Sequence, residues 1–220
     1  MIPNLIIPVL NRYDLLQRMV SSIDYTVEHL LIIDNGASGN VESVEIDIPE
    51  TVEHTTYLPM PSNLGVAGSW NLGIKLFPMH DRWTFASNDM WFEPGQLAKL
   101  AEAKPSHLTL IKDFPHWHAF TIGEEVVQRI GLFDEALYPA YFEDNDYLRR
   151  AHHHKVPVEH LDLKTGHDNS STIMSDTRYR FRNSVTFKNN AQYYQLKERM
   201  TDYSQGSWAL HTRRENDWPV

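Results

Sequence analysis

The residues able to do chemistry gather where apolar runs end. Asn11 and Arg12 follow the run Asn4–Leu10, Asp34 and Asn35 close the run HLLIID at 29–34, and Asn88-Asp89 follows RWTFAS at 82–87. A carboxylate at such a point can bind a hard divalent cation, and amides can hydrogen-bond a polar ligand. Glu143-Asp144 opens the stretch EDNDYLRR at 143–150. A carboxylate there can take a proton from a hydroxyl, and the same acids favour the dipole of a helix start. Asp146 with Arg149 or Arg150 has the spacing of helix ion pairs. His116 and His118 are two apart, which would place them on one strand face, able to bind metal or meet an acceptor. Trp91 and Trp117 can stack on a sugar or base or join the core. His152, His153 and His154 fan out around a helix axis and read as a solvated helix end.

Some chemistry is excluded. The chain has no Cys, so there is no disulfide, zinc–thiolate site, iron–sulfur cluster or cysteine nucleophile. No Gly-rich turn follows the first apolar run and no GxxxxGK[ST] occurs, so a nucleotide would be held in another way. Among 220 residues, 41% are hydrophobic and 11% aromatic, enough for a buried core. The length suits one domain of about 200 residues, alone or with an appendage. Twenty Lys and Arg against 29 Asp and Glu give a net charge of −9. That balance argues against whole-surface binding to nucleic acid or an anionic membrane, and leaves room for a local basic patch. No apolar run approaches the roughly 18–20 residues that span a bilayer. The N-terminal MIPNLIIPVLNRYD lacks a basic signal-peptide region, so the expectation is a soluble cytoplasmic protein without membrane insertion. Its oligomeric state is left open.

The elements that must position these residues read as follows. NLIIPVL is a strand covered on both faces. YDLLQRMVSSI is a helix with Leu15, Leu16, Met19, Val20 and Ile23 on one stripe and Asn11 as N-cap. With 29–34 as the next strand, the opening is β-α-β, which favours a parallel sheet with ligands at the strands' carboxyl ends. Strands are expected at 54–59, 82–87, 107–111, 118–122 and 156–163, and helices at 67–77, 94–103, 124–131 and 143–154. Pro94 sits near the N1 position of the 94–103 helix, and Gly131 closes the 124–131 helix. Residues 177–200 form a long helix or helix pair, followed by a polar tail in which Trp208 and Trp218 are docking points.

The ordered blocks IIPVLNR, LLIIDNGASGN, NLGVAGSWNLGI, TFASNDMWF, GLFDEALYPAYFEDNDYLRRA and TGHDNSST resemble glycosyltransferase family 2, across residue 2 to about 200. The resemblance implies the GT-A fold, a Rossmann-like α/β arrangement with a mostly parallel central sheet and helices on both faces. It implies a domain at 1–200, with a nucleotide-binding half at 1–90 and an acceptor and catalytic half at 91–175, and a C-terminal helical extension and tail at 176–220. It also implies a metal-dependent inverting transfer of a sugar from a nucleotide-sugar, most simply a UDP-sugar, to a hydroxyl.

By this resemblance Pro8, Val9, Leu10 and Asn11 pack on the nucleoside, and Asp34 accepts a hydrogen bond from the base. Asn35 stands where the family more often has a second acid, which keeps thymidine and guanosine open beside uridine. Asn63, Gly65, Gly68, Asn71 and Gly73 match a stretch that lies against the nucleotide. Asn88-Asp89 stands at the metal motif. Asp89 would hold Mn2+ or Mg2+, Asn88 would contact sugar or phosphate, and His167 would complete the metal shell or touch the diphosphate. Asp144 is assigned as the base and Glu143 as a binder of acceptor or sugar, with the reverse open.

The chain's compactness is similar to enzymes encoded by bacteriophages, which implies a polymer acceptor, either a hydroxymethylpyrimidine in DNA or a protein hydroxyl. His116, Trp117, Arg180 and Arg182 are the acceptor-side candidates. The last two lie in a segment from Arg178 to Lys197 that interleaves cations and aromatics, as phosphate contacts and base stacking require, or as an amphipathic helix would. A catalytically silent sugar-binding GT-A domain and a nucleotidyltransferase with a similar sheet are the alternatives.

Overall fold

The computed structural model describes residues 1–36, 45–113, 116–168 and 177–199, with side chains in the last stretch from 180. Trp208, Trp218, the side chains of Arg178 and Tyr179, and parts of the NGASGN and TGHDNSST blocks lie outside the described residues.

The first apolar run forms β1 (Leu5–Val9), the amphipathic segment forms α1 (Tyr13–Ser21), and β2 (Val27–Asp34) and β3 (Val52–Pro59) follow. Then come α2 (Gly65–Leu76), β4 (Arg82–Ala86), β5 (Met90–Phe92), β6 (Leu108–Ile111), β7 (Ala119–Gly123) and α3 (Glu124–Ile130). The chain continues through α4 (Glu143–His153), β8 (Val158–Leu161), β9 (Thr165–His167) and α5 (Thr177–Glu198). Seven strands among the described residues form one sheet in the order β3-β2-β1-β4-β7-β6-β8. It is parallel except for β7, which runs antiparallel between β4 and β6. β5 and β9 pair separately, antiparallel.

Central strands alternate their side chains between two apolar layers, which is why they read as unbroken apolar runs. Ile6, Leu31 and Ile33 join the layer containing α2, α3 and α4, while Leu5, Ile7, Val9, Leu30 and Ile32 join the layer containing α1. Asn4, fully buried, stitches β1 to β4: its Nδ2 donates to the Arg82 carbonyl at 2.9 Å and its Oδ1 accepts from Thr84 N–H at 3.2 Å.

Two local expectations are corrected. Residues 94–103 do not form an α-helix; a 3-10 helix covers Leu97–Glu102. Its buried residues are Leu97 and Leu100, and a spacing of three eclipses side chains in a three-residue turn. Asn11 does not cap α1. Arg12 stands at the cap in the left-handed region with φ 59°, and its guanidinium pairs with Asp14 at 2.7 Å.

Candidate active site

A cleft of about 110 Å³ opens at the carboxyl ends of β1 and β2 beside the start of α2. Seven of its walls are residues singled out in the sequence: Pro8, Val9, Leu10, Asn35, Asn63, Gly65 and Asn88. Val66 and Pro139 complete it. Its shape depends on Gly65, whose φ is +74° and where a Cβ would sit 2.8 Å from both the Pro139 carbonyl and the Tyr138 ring. Only glycine takes that backbone at little cost and lets Pro139 close in. Val66 N–H then donates to the Pro139 carbonyl at 2.8 Å, and Asn63 Oδ1 accepts from Gly65 N–H at 2.8 Å.

Asn35 has a structural reason to be an amide. Its Nδ2 donates to Ser69 Oγ at 2.9 Å and its Oδ1 accepts from Leu64 N–H at 2.9 Å. A carboxylate has no N–H to donate, so it could not reproduce this pair. Asn88 Nδ2 donates to the Asn11 carbonyl at 3.2 Å, tying the end of β1 to the segment after β4.

Asp34 and Asn71 sit behind the cleft and do not line it. The Asp34 carboxylate is 1% exposed and accepts from Tyr13 and Tyr57 hydroxyls and from Gly36 N–H. Burial and this carboxylate push the Tyr13 hydroxyl up to about 12 and raise that of Tyr57 as well, so both stay protonated donors. Asp34 therefore fixes two tyrosines and a turn. Asn71 donates to the Phe133 carbonyl and to Glu135, and accepts from Phe133 N–H at 2.9 Å, so it anchors the loop after α3.

The small β5–β9 ladder places Met90 opposite His167, and Asp168 N–H donates to the Asp89 carbonyl at 2.8 Å. His167 Nε2 lies 3.1 Å from Asp89 Oδ1, while its Nδ1 is buried with no hydrogen-bond partner among the described residues. Gly166 allows this approach, since Trp91 lies where its Cβ would be, 1.9 Å away. Trp91 in turn carries the Arg18 guanidinium at 4.1 Å, and Arg18 pairs with Asp168 at 2.6 Å. Among the described residues no three His, Asp or Glu side chains converge on one metal position. Asp89 and His167 fit a cation held by two protein groups and completed by its ligand. Such an ion would neutralise charge on a diphosphate.

His116 and His118 do not share a strand face, because β7 begins at Ala119. His118 belongs to the Asp89 cluster: its ring stacks on His167 at 5.1 Å, and its Nε2 shares a hydrogen bond with Thr165 Oγ1 at 2.7 Å. His116 turns instead to the Ile111 carbonyl and to His160. Trp117 packs among Trp70, Phe120, Phe133 and Tyr147. Arg180 and Arg182 are exposed on α5.

Glu143 and Asp144 begin α4 after two left-handed residues, Tyr141 at φ 78° and Phe142 at φ 75°. Each such residue costs about 1–3 kcal/mol and persists only where its surroundings fix it. Here α5 does so. Asn190 Nδ2 donates to the Ala140 carbonyl at 2.9 Å, Phe187 packs on Tyr141 and Phe142, and Tyr194 stacks on Phe142 at 5.5 Å. Below them, Lys197 Nζ pairs with Asp134 at 2.6 Å and Asp146 at 2.8 Å. Asp146 also holds Arg149 and Arg150, as the helix spacing predicts.

Glu143 is 6% exposed and its Oε2 has no hydrogen-bond partner among the described residues. Burial, helped by Asp144, pushes its carboxyl from 4.5 up to about 8. Asp144 is half-buried, and burial raises it too, against hydrogen bonds from backbone N–H groups. Because the folded protein holds the Glu143 proton more tightly than the unfolded chain, ionisation costs nothing below about pH 4.5, costs more as pH rises, and reaches its full cost above about pH 8. Glu143→Gln should therefore match the parent's melting temperature near about pH 5 and exceed it near about pH 9, in melts of ligand-free protein. A difference that stays constant across pH would refute the burial argument.

Comparison with known proteins adds a partial match to this geometry. Residues 4–110 match the model of Glycosyl transferase family 2. The matched segment runs from β1 to β6 and contains the whole cleft except Pro139. No curated protein matches the chain. Among solved structures, TarS of S. aureus is 14% identical with a TM-score of 0.52, covering 74% of this chain and 36% of TarS. TarS 1–349 in complex with UDP is 13% identical with a TM-score of 0.53, covering 74% of this chain and 59% of that one. The chain thus spans a third to three-fifths of the length of these structures, and it shares with them the GT-A fold.

Proposed function

We propose that the chain is a nucleotide-sugar glycosyltransferase with a UDP-sugar as donor and a polymer hydroxyl as acceptor, in hydroxymethylated DNA or in protein. The observation that carries this reading is the cleft at the strands' carboxyl ends, walled by seven residues that lie in the blocks resembling the family and within the matched segment. The likeness to a TarS structure solved with UDP supports uridine. In this reading residues 1–90 hold the donor and 91–175 face the acceptor.

Pro8, Val9 and Leu10 pack on the nucleoside, and Asn63, Gly65 and Asn88 contact ribose, phosphate or sugar. Asp89 and His167 would hold Mn2+ or Mg2+, which would supply positive charge for the leaving diphosphate. The acceptor hydroxyl gives its proton to Asp144 as its oxygen attacks the anomeric carbon. The bond from that carbon to the diphosphate breaks, its electron pair leaves with UDP, and the anomeric centre inverts. Asp144 suits the base better than Glu143, since Glu143 is buried and mostly protonated near neutral pH.

Incubation with a panel of UDP-sugars and Mn2+ tests the reading by following UDP release. Slow release from one donor, lost in Asp89→Asn, is expected. No release from any nucleotide-sugar, with acceptor polymers present, would overturn it.

A further inference from the structure

A second cavity, of about 440 Å³, lies on the other side of Pro139 from the donor cleft and shares Asn63 and Pro139 with it. Its remaining walls come from Tyr138 and from one face of α5: Phe181, Arg182, Val185 and Thr186. The aromatic surface is open. Phe181 is 72% exposed, Val185 48% and Tyr138 47%. Exposed apolar side chains lining one concavity mark a binding site far better than single exposed ones do. The cavity is also preformed, because Tyr138 donates its hydroxyl to the Asn63 carbonyl at 3.1 Å and Asn190 ties α5 to the Ala140 carbonyl. Thr186 turns its hydroxyl back to helix carbonyls, which leaves that wall apolar.

Charge narrows the occupant. Arg182 stands in the wall, Arg180 and Lys188 are exposed on the same helix, and none of the three has an ion pair among the described residues. On a chain of net charge −9 this is a local concentration of cations with no ion pair among the described residues. Flat rings beside cations are how proteins hold a single nucleic-acid strand, with bases stacking and phosphates meeting Arg or Lys.

We infer that this cavity binds a nucleotide of an unpaired nucleic-acid strand, its base against Tyr138 and Phe181 and its phosphate at Arg182. The wall shared with the donor cleft makes that nucleotide the acceptor. Only this last step rests on the glycosyltransferase reading, because strand binding is measured without donor.

Fluorescence anisotropy of a labelled oligothymidylate, at low ionic strength, tests the inference on the full chain. The parent protein is expected to bind the strand more tightly than the same sequence in a duplex. Phe181→Ser and Arg182→Glu are each expected to weaken binding by about tenfold or more, because the first removes a ring the base stacks on and the second reverses the charge facing the phosphate. Added salt should weaken the parent more than Arg182→Glu. UDP affinity, measured on the same samples, should be unchanged in both variants, which shows that they are folded. Equal strand affinity in parent and variants, or no strand binding while UDP still binds, would overturn the inference and leave the donor reading intact. Tight binding of a protein acceptor that both variants retain would also overturn it.

Discussion

Asp144→Asn is expected to lower kcat by about 10²–10⁴-fold, the usual loss when a general base is removed, with the Kd for UDP unchanged. The carboxylate leads α4, half-buried, behind a segment that α5 holds in a left-handed conformation. Burial raises its proton affinity, which moves a carboxylate towards the range where it can accept a proton near neutral pH. An amide of the same shape keeps the packing and the hydrogen bond from Asn145 N–H at 2.7 Å. Single-turnover rates with saturating donor, beside a UDP titration, separate chemistry from binding. Full activity in the variant would move the base to Glu143.

Lys197→Met should destabilise the protein by about 3–5 kcal/mol, as removal of one partner from a buried ion cluster does. The ammonium lies between Asp134 and Asp146, both fully buried, and Tyr193 donates to the same Asp134 at 3.0 Å. Methionine fills similar space but leaves Asp134 with only Tyr193 and Ala136 N–H as donors and no cation, while Asp146 keeps Arg149 and Arg150. At a few degrees per kcal/mol, the melting temperature should fall by roughly 10 °C. Lys197→Arg should recover part of that loss. A melting temperature within about 2 °C of the parent would show that the cluster contributes little to stability.

The cleft was legible because its signals are local. Pro8, Val9 and Leu10 end an apolar run, Asn88 ends another, and Asn63-x-Gly65 is a short motif, so each could be placed at a strand end from neighbouring residues. The positions that lie outside the cleft have distant partners. Asp34 is filled by Tyr13, 21 residues away, and by Tyr57, 23 away. Asn71 is held by Phe133, 62 away. Nothing at those residues announces the partner. β9 is three residues long, too short to show alternation, so its pairing with β5 and the approach of His118 to His167 were not visible, and only the resemblance placed His167 with Asp89. The role of α5 was hidden similarly: Asn183, Asn190 and Lys197 are buried polar residues in a helix whose Phe181 and Phe187 are exposed, which reverses the usual inside-out pattern.

The measurement that most directly tests the donor cleft is calorimetric titration of UDP into the parent protein and into Gly65→Ala, each with and without Mn2+. The donor cleft predicts saturable one-site binding to the parent, strengthened by Mn2+. It predicts strong weakening in Gly65→Ala, where the added methyl would lie 2.8 Å from the Pro139 carbonyl on a backbone of φ +74°. Absence of UDP binding to the parent, or equal binding by a folded Gly65→Ala, would contradict it.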